Sequence, residues 1–340
     1  MSLYVPRVNT SDDVFHYRAV NKDLLRMAKP LRVAPIAEVQ AYSSEERAAY
    51  NAERLKYLSR GIVVNTPTIA ALRAQTELRL LQNHGRIAGG AGIYMSSSSN
   101  HGKTTAIRCV LRDTLLAHKQ AGAGPSKTRL PVGLFTMPEV SNVRAFCGRA
   151  LSFFGRDTTT ATPENNLIEQ LAIAINRSRM QVVAIDEVHR IDAERDGESV
   201  AETIRGLADN ISATMILAGI NLENHSLLRG EAARQVRTRF FSSPVYDYAD
   251  PRSPGRNEAW RSLVNGMLRA LPLYRLDRAA LAKEWRTLGT MSEWTVGFLS
   301  LHLTVAAMEK IQADDIEGEF LTIDNLQDVQ LPGPRPTTRT

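Results

Sequence analysis

The residues Ser97-Ser98-Ser99-Asn100-His101-Gly102-Lys103-Thr104 follow a short apolar run and open a stretch with helical spacing. Their order matches the phosphate-loop pattern GxxxxGK[ST], except that Ser97 stands at the first glycine position. Backbone N–H groups of such a loop, and of the helix end that follows, converge on an anion. The expected cradle runs through Ser98, Ser99, Asn100, His101, Gly102, Lys103, Thr104 and Thr105. Lys103 would add a cation beside the β- and γ-phosphates, and the Thr104 hydroxyl would ligate Mg²⁺. Serine at position 97 puts the turn geometry in question, because glycine tolerates positive φ at little cost.

A second element carries the complementary chemistry. Val182-Val183-Ala184-Ile185-Asp186-Glu187 is an apolar run ending in two carboxylates. Asp186 would hold the metal through water, and Glu187 would orient or deprotonate an attacking water. Asn221, just after the apolar run Thr214–Leu217, is placed to sense the γ-phosphate or that water. The Arg237-Thr238-Arg239-Phe240 stretch offers a guanidinium for charge spread over the phosphoryl oxygens, Arg239 being preferred to Arg237. His189 is expected to pack beneath the loop after the carboxylates rather than to act in catalysis.

These residues need a frame. From Gly92 onward, apolar runs at Gly92–Met95, Val132–Thr136, Val182–Ile185, Thr214–Leu217 and Val245–Tyr248 alternate with longer helical stretches. Continuous apolar runs fit parallel strands covered on both faces, and the spacers suffice for crossover helices. The fold class expected is therefore α/β and doubly wound. Ahead of the strands, Ser43 and Glu46 form a capping box for a helix to about Leu58. Thr66 and Pro67 start another, which Gly85 stops. After Pro251 the strands give way to helices: Trp260, Leu263, Val264, Met267, Leu268 and Leu271 recur at helical spacing. Asp277 caps a second helix to about Leu288, a third spans 292–311, and Thr322 opens a fourth. The domain reading is an extension over 1–60, a nucleotide-binding domain over 61–250, a helical lid over 251–330 and a disordered tail over 331–340.

Composition narrows the class. The chain has 340 residues, 43% hydrophobic and 23% charged, which excludes disordered and collagen-like sequences. No apolar run approaches a membrane span, and the first residues lack an apolar leader core, so a cytoplasmic location is expected. Cys109 and Cys147 are the two cysteines, too few for a disulfide framework. The net charge of +6 leans mildly toward polyanions, while 6% aromatics argues against a base-stacking surface. Lys119, Lys127, Arg129, Arg144 and Arg149 flank the second strand and are the candidates for DNA-backbone contacts.

Four segments carry a resemblance: SSSNHGKTT, VGLFTMPEV, VVAIDEVHRI and RTRFFSSPVYDY. With them the chain resembles AAA+ ATPases of the TniB/TnsC family of transposon target-selection proteins, relatives of IstB and MuB, over roughly residues 60–330. The resemblance implies a P-loop NTPase with a five-stranded parallel core and a small all-helical lid. It places Gly102, Lys103 and Thr104 on Walker A, Asp186 and Glu187 on Walker B, and Arg239 on the arginine finger. No sensor 2 arginine is assigned, since GTMSEWTVGFLSLHL contains none. ATP and Mg²⁺ are the implied cofactors. The implied partners are double-stranded DNA, a DDE transposase, a TniQ/TnsD-like target selector and further copies of the chain in a ring or helical filament, with no membrane. The expected function is an ATP-hydrolysing transposition regulator on target duplex DNA. The alternatives are a helicase loader or other DNA-remodelling ATPase, and an ATP-dependent scaffold that does not hydrolyse. Glu187 speaks against the last.

Overall fold

The computed structural model describes residues 15–27, 31–126, 128–139, 142–156, 163–191, 197–225, 228 and 234–330. By internal packing the chain forms two units. One comprises Met1–Ala28, Ala71–Ser98 and Lys103–Pro244, and the other Lys29–Ala70, Ser99–Gly102 and Val245–Thr340. The segment expected as an N-terminal extension thus contributes to both. Helix Tyr17–Arg26 packs along helix Lys103–Gln120, and helix Ser44–Leu58 packs along helix Val296–Gln312.

The first unit holds a five-stranded sheet of β1 (Gly92–Ser96), β2 (Val132–Thr136), β3 (Val182–Asp186), β4 (Thr214–Gly219) and β5 (Phe240–Ser242). Its order is β2-β3-β4-β1-β5, and the pairings are parallel. Every residue of β3 and β4 is buried, which explains their unbroken apolar sequence. Phe135, Val183, Ile185, Met215 and Leu217 share one core with helices Val143–Ser152, Glu164–Arg177 and Gly197–Asn210. Helix Lys103–Gln120 lies along β2, β3 and β4. The intervening strand residues Val182, Ala184 and Ile216 are buried outside that shared core, as a sheet covered on both faces requires. Cys109 and Cys147 are free and buried, and burial pushes the Cys147 thiol up to about 12.

The fifth strand lies at Phe240–Ser242, not at the expected Val245–Tyr248. Ser243 N–H still donates to Tyr94 O at 2.8 Å, but Pro244 has no N–H to continue the ladder. Beyond it, Tyr246 N–H donates to the Thr68 hydroxyl (2.9 Å), and Tyr248 is buried with its ring centroid 5.4 Å from that of Trp260. Tyr248 therefore enters the core of the second unit, with Tyr246 packed against it.

That unit is helical among its described residues. Its core gathers Leu58, Tyr248, Trp260, Leu263, Leu288 and Leu303. Helix Arg256–Ala270 carries the Trp260 stripe, and the Trp260 indole N–H donates to Trp285 O at 2.8 Å. The helix expected from Asp277 to Leu288 divides into Arg278–Lys283 and Trp285–Met291. The one expected over 292–311 begins later, at Val296, because Glu293 and Trp294 take φ of 53° and 56° before Thr295 caps it. The capping boxes at Ser43/Glu46 and Thr322/Asn325 are both formed. Residues 331–340, expected as a disordered tail, lie outside the described residues, as does Lys127. Among the described residues no helix is long and apolar enough to cross a membrane.

Candidate nucleotide site

The loop after β1 leads directly into helix Lys103–Gln120. From β1 the chain crosses past β4 and β3 to β2, while β5 adds on the other side, so the loop leaves the sheet where its winding reverses. Clefts at the carboxyl ends of strands at such a point are where α/β sheets take ligands. Ser97 N–H donates to Gly219 O (3.3 Å) and ties the loop to the end of β4.

Serine at position 97 turns out to be compatible with the turn. Among the described non-glycine residues of the loop, Asn100 takes the left-handed conformation (φ 63°), and Gly102 takes it at 84°. Ser97 does not. Asparagine tolerates that region better than most residues, so the loop turns at Asn100 and Gly102 without asking a left-handed conformation of Ser97. The tip is held locally. The His101 Nδ1 lies 2.7 Å from Ser99 O, and Gly297 N–H donates to Asn100 O (3.0 Å) within the second unit.

Lys103 is 7% exposed, and its ammonium donates to Ser97 O and Ser98 O, each at 2.7 Å. Burial lowers its pKa, and the Asp186 and Glu187 carboxylates oppose that shift. The next residue, Thr104, donates its hydroxyl to Asp186 Oδ2 at 2.6 Å. Asp186 ends β3 at 3% exposure and also accepts the Glu187 N–H (2.9 Å) on Oδ1. Burial pushes its carboxyl above the ordinary range, with the Thr104 hydroxyl and Glu187 N–H pulling the other way.

Glu187 stands in the left-handed region (φ 61°), which turns the chain sharply after β3. Its Oε2 lies 3.3 Å from Arg190 Nε and 3.6 Å from His189 Nε2. Arg190 escaped the sequence reading, although it lies within the same VVAIDEVHRI segment. Only the 3₁₀ turn Val188–Arg190 brings it back onto the carboxylate. Asn221 follows β4, beside β1, and is also left-handed (φ 51°); its side-chain oxygen accepts from Asn224 Nδ2 at 2.6 Å.

Arg239 is not brought to this group. Phe240, the next residue, pairs with Gly92 at the start of β1, whereas the loop leaves from its end at Ser96. Four residue steps at about 3.3 Å each separate those ends, roughly 13 Å along the sheet. The Arg239 guanidinium pairs instead with Asp209. The DNA candidates are also dispersed. Arg144 and Arg149 sit on helix Val143–Ser152 beyond β2, where Arg149 lies 4.7 Å from the Phe15 ring centroid. Lys119 is exposed in the last turn of helix Lys103–Gln120, and Arg129 precedes β2.

The donor set fits a magnesium-bound polyphosphate. One hydroxyl, one buried carboxylate and one ammonium converge, and among the described residues no group of three or more metal-ligating side chains forms a dedicated metal cage. Magnesium characteristically takes few protein ligands and completes its shell with phosphate and water.

Comparison with solved structures gives the same fold. The ORC1 protein of Aeropyrum pernix in complex with DNA matches with a TM-score of 0.57 at 14% identity. The match covers 77% of this chain and 64% of that one, so this chain spans less than two thirds of that neighbour's length. Drosophila ORC bound to DNA matches with a TM-score of 0.49 at 12% identity, over 96% of this chain and 67% of that one. No curated protein matches the chain. The sheet order is that of the AAA+ fold. The family model described as bacterial TniB protein matches residues 54–249, more than half of the chain, and the chain belongs to the TniB family.

Proposed function

We propose that this protein binds and hydrolyses ATP with Mg²⁺, assembles with copies of itself on double-stranded DNA, and there recruits a transposase as a transposition regulator. The observation that carries the ATPase part is the 2.6 Å contact between Thr104 and Asp186, with Lys103 and Glu187 adjoining in sequence. Family membership supports the transposition part, and the DNA-bound state of the ORC1 neighbour supports DNA as the platform.

Bound Mg²⁺ would neutralise charge on the β- and γ-phosphates. Thr104 and Asp186 would hold it. Lys103 would turn from the Ser97 and Ser98 carbonyls to the phosphate oxygens, exchanging neutral acceptors for charged ones. Glu187 would orient the attacking water and accept its proton, while Arg190 beside it holds the carboxylate in place. Arg239, at the opposite end of β1, would serve a neighbouring copy's nucleotide rather than its own.

The test is steady-state phosphate release with duplex DNA present, alongside nucleotide binding. Glu187→Gln keeps the shape but cannot accept the proton, so turnover should fall by about 10²–10⁴ with ATP binding retained. Wild-type turnover in that variant would remove Glu187 from the reaction.

A further inference from the structure

At the other end of the sheet, a cavity of about 450 Å³ is lined by Arg129, Arg177, Arg179, Ser126, Thr128 and two loop glycines. Three arginines, a serine and a threonine line one space, and among the described residues no carboxylate lines it. The loop is shaped by its own bonds: Ser126 N–H donates to Arg129 O (2.8 Å), and Leu130 N–H donates to Ser178 O (2.9 Å). Arg129 and Arg179 therefore arrive from separate segments that meet where β2 and β3 begin.

Arg177 has a local reason to be cationic, since it lies in the last turn of helix Glu164–Arg177 and complements the helix dipole. Arg129 and Arg179 lie outside any helix. Arg179 is also held at φ 53°, in the position just past the helix cap. Its N–H donates to Asn176 O (3.0 Å), and Met180 N–H donates to Ile175 O (3.4 Å), which together form a Schellman motif. That position favours glycine, because a β-carbon costs energy there. An arginine at a glycine position, exposed and lining one cavity with two others, is unfavourable for the local fold.

We propose that this cavity is a phosphate-binding site for the backbone of nucleic acid, separate from the nucleotide site. Guanidiniums and hydroxyls match phosphate oxygens with paired N–H and single O–H donors. Among the described residues no large apolar side chain lines the cavity, as a peptide anchor would require. It lies where β2 and β3 start, at Val132 and Val182, whereas Asp186 of the nucleotide site ends β3. The site would add contacts that position the protein on a duplex without reading its sequence.

The inference rests on the DNA-platform reading above, and Arg179→Gly tests it apart from that reading. Glycine suits the left-handed position, so the variant should melt at or above the wild-type temperature. Binding of the full chain to a mixed-sequence duplex, with ATP, is titrated at several salt concentrations. The expected result is severalfold weaker binding and a salt slope shallower by about one. Unchanged affinity and slope, in a protein whose wild type binds the duplex, would overturn the site. A wild type that binds no duplex would instead overturn the DNA platform. A second arm uses inorganic pyrophosphate with Lys103→Ala, which disables the nucleotide loop. Pyrophosphate stabilisation that disappears in Lys103→Ala/Arg179→Gly, with duplex binding unaffected by Arg179→Gly, would reassign the cavity to a small free anion and overturn the nucleic-acid assignment.

Discussion

Asp186 sets the cost of burying a charge against the metal-holding role proposed for it. It is a buried carboxylate with two donors, the Thr104 hydroxyl and the Glu187 N–H. Burial nevertheless raises its pKa. The folded chain therefore holds this proton more tightly than the unfolded chain does. The carboxyl's contribution to stability is greatest below the unfolded value, declines as pH rises through the window up to the raised value, and stays at its least favourable above it. Asp186→Asn removes the charge and can still satisfy both neighbours, accepting from Glu187 N–H and donating to the Thr104 oxygen. The variant should be more stable at neutral pH by about 1 kcal/mol, or roughly 2–4 °C in Tm, and should lose that advantage in acid. Calorimetry across pH checks this, and Mg²⁺-dependent turnover should be lost in the same variant. An unchanged or lower Tm at neutral pH would mean that the carboxylate is fully compensated by its donors.

At the scale of elements, the second unit depends on a buried ion pair. Arg54 on helix Ser44–Leu58 and Glu319 are each 1% exposed and 2.7 Å apart. Arg54 also donates to Pro272 O (3.0 Å) and lies 5.2 and 5.3 Å from the Tyr50 and Tyr274 ring centroids. The pair fastens a helix from early in the chain onto segments from late in it. Breaking it from one side leaves an uncompensated buried charge, which typically costs about 3–5 kcal/mol. Glu319→Ala should therefore lower the denaturation midpoint sharply. Replacing both partners with apolar residues of similar volume should recover most of the loss, since such exchanges are often neutral. Chemical denaturation followed by tryptophan fluorescence reads this unit, because its core contains Trp260 and Trp285. Equal losses in the single and double variants would show that the ion pair itself, rather than the orphaned charge, holds the helix.

For the whole molecule, the role proposed for Arg239 would link chemistry to assembly. Arg239 ends helix Arg234–Arg239 just before β5, its guanidinium on Asp209, while the nucleotide loop leaves the far end of neighbouring β1. If it completes another copy's site, hydrolysis must rise with protein concentration. Arg239→Ala should lower turnover by about 10³–10⁵ while each subunit still binds nucleotide. Mixing Arg239→Ala with Lys103→Ala should restore part of the activity, because some interfaces then pair an intact loop with an intact finger. Asp209→Ala separates the roles: it removes the partner within the chain but leaves the guanidinium, so turnover should persist. Phosphate release measured across mixing ratios and dilutions is the check. Activity that does not change with dilution would place the whole site in one copy.

The linear pattern alone determined the α/β class, the loop over 97–104, the carboxylates ending β3 and most helix starts. Each of these is local. A buried parallel strand must be apolar throughout, a phosphate loop needs its glycine, lysine and hydroxyl at fixed spacing, and a cap lies within three residues of the N–H that donates to it. Tertiary structure decided what depends on distant partners. Val245–Tyr248 reads as a strand by composition, yet Pro244 ends the ladder and Trp260 draws Tyr248 into the helical core. Asn100 rather than Ser97 takes positive φ, which a pattern of residue types cannot express. The 3₁₀ turn at Val188–Arg190 sets Arg190 against Glu187. Arg129 joins Arg177 and Arg179, some fifty residues on in sequence, because β2 and β3 begin side by side. Parallel pairing aligns strand ends that lie far apart along the chain, so clusters at those ends become visible only once the sheet is assembled.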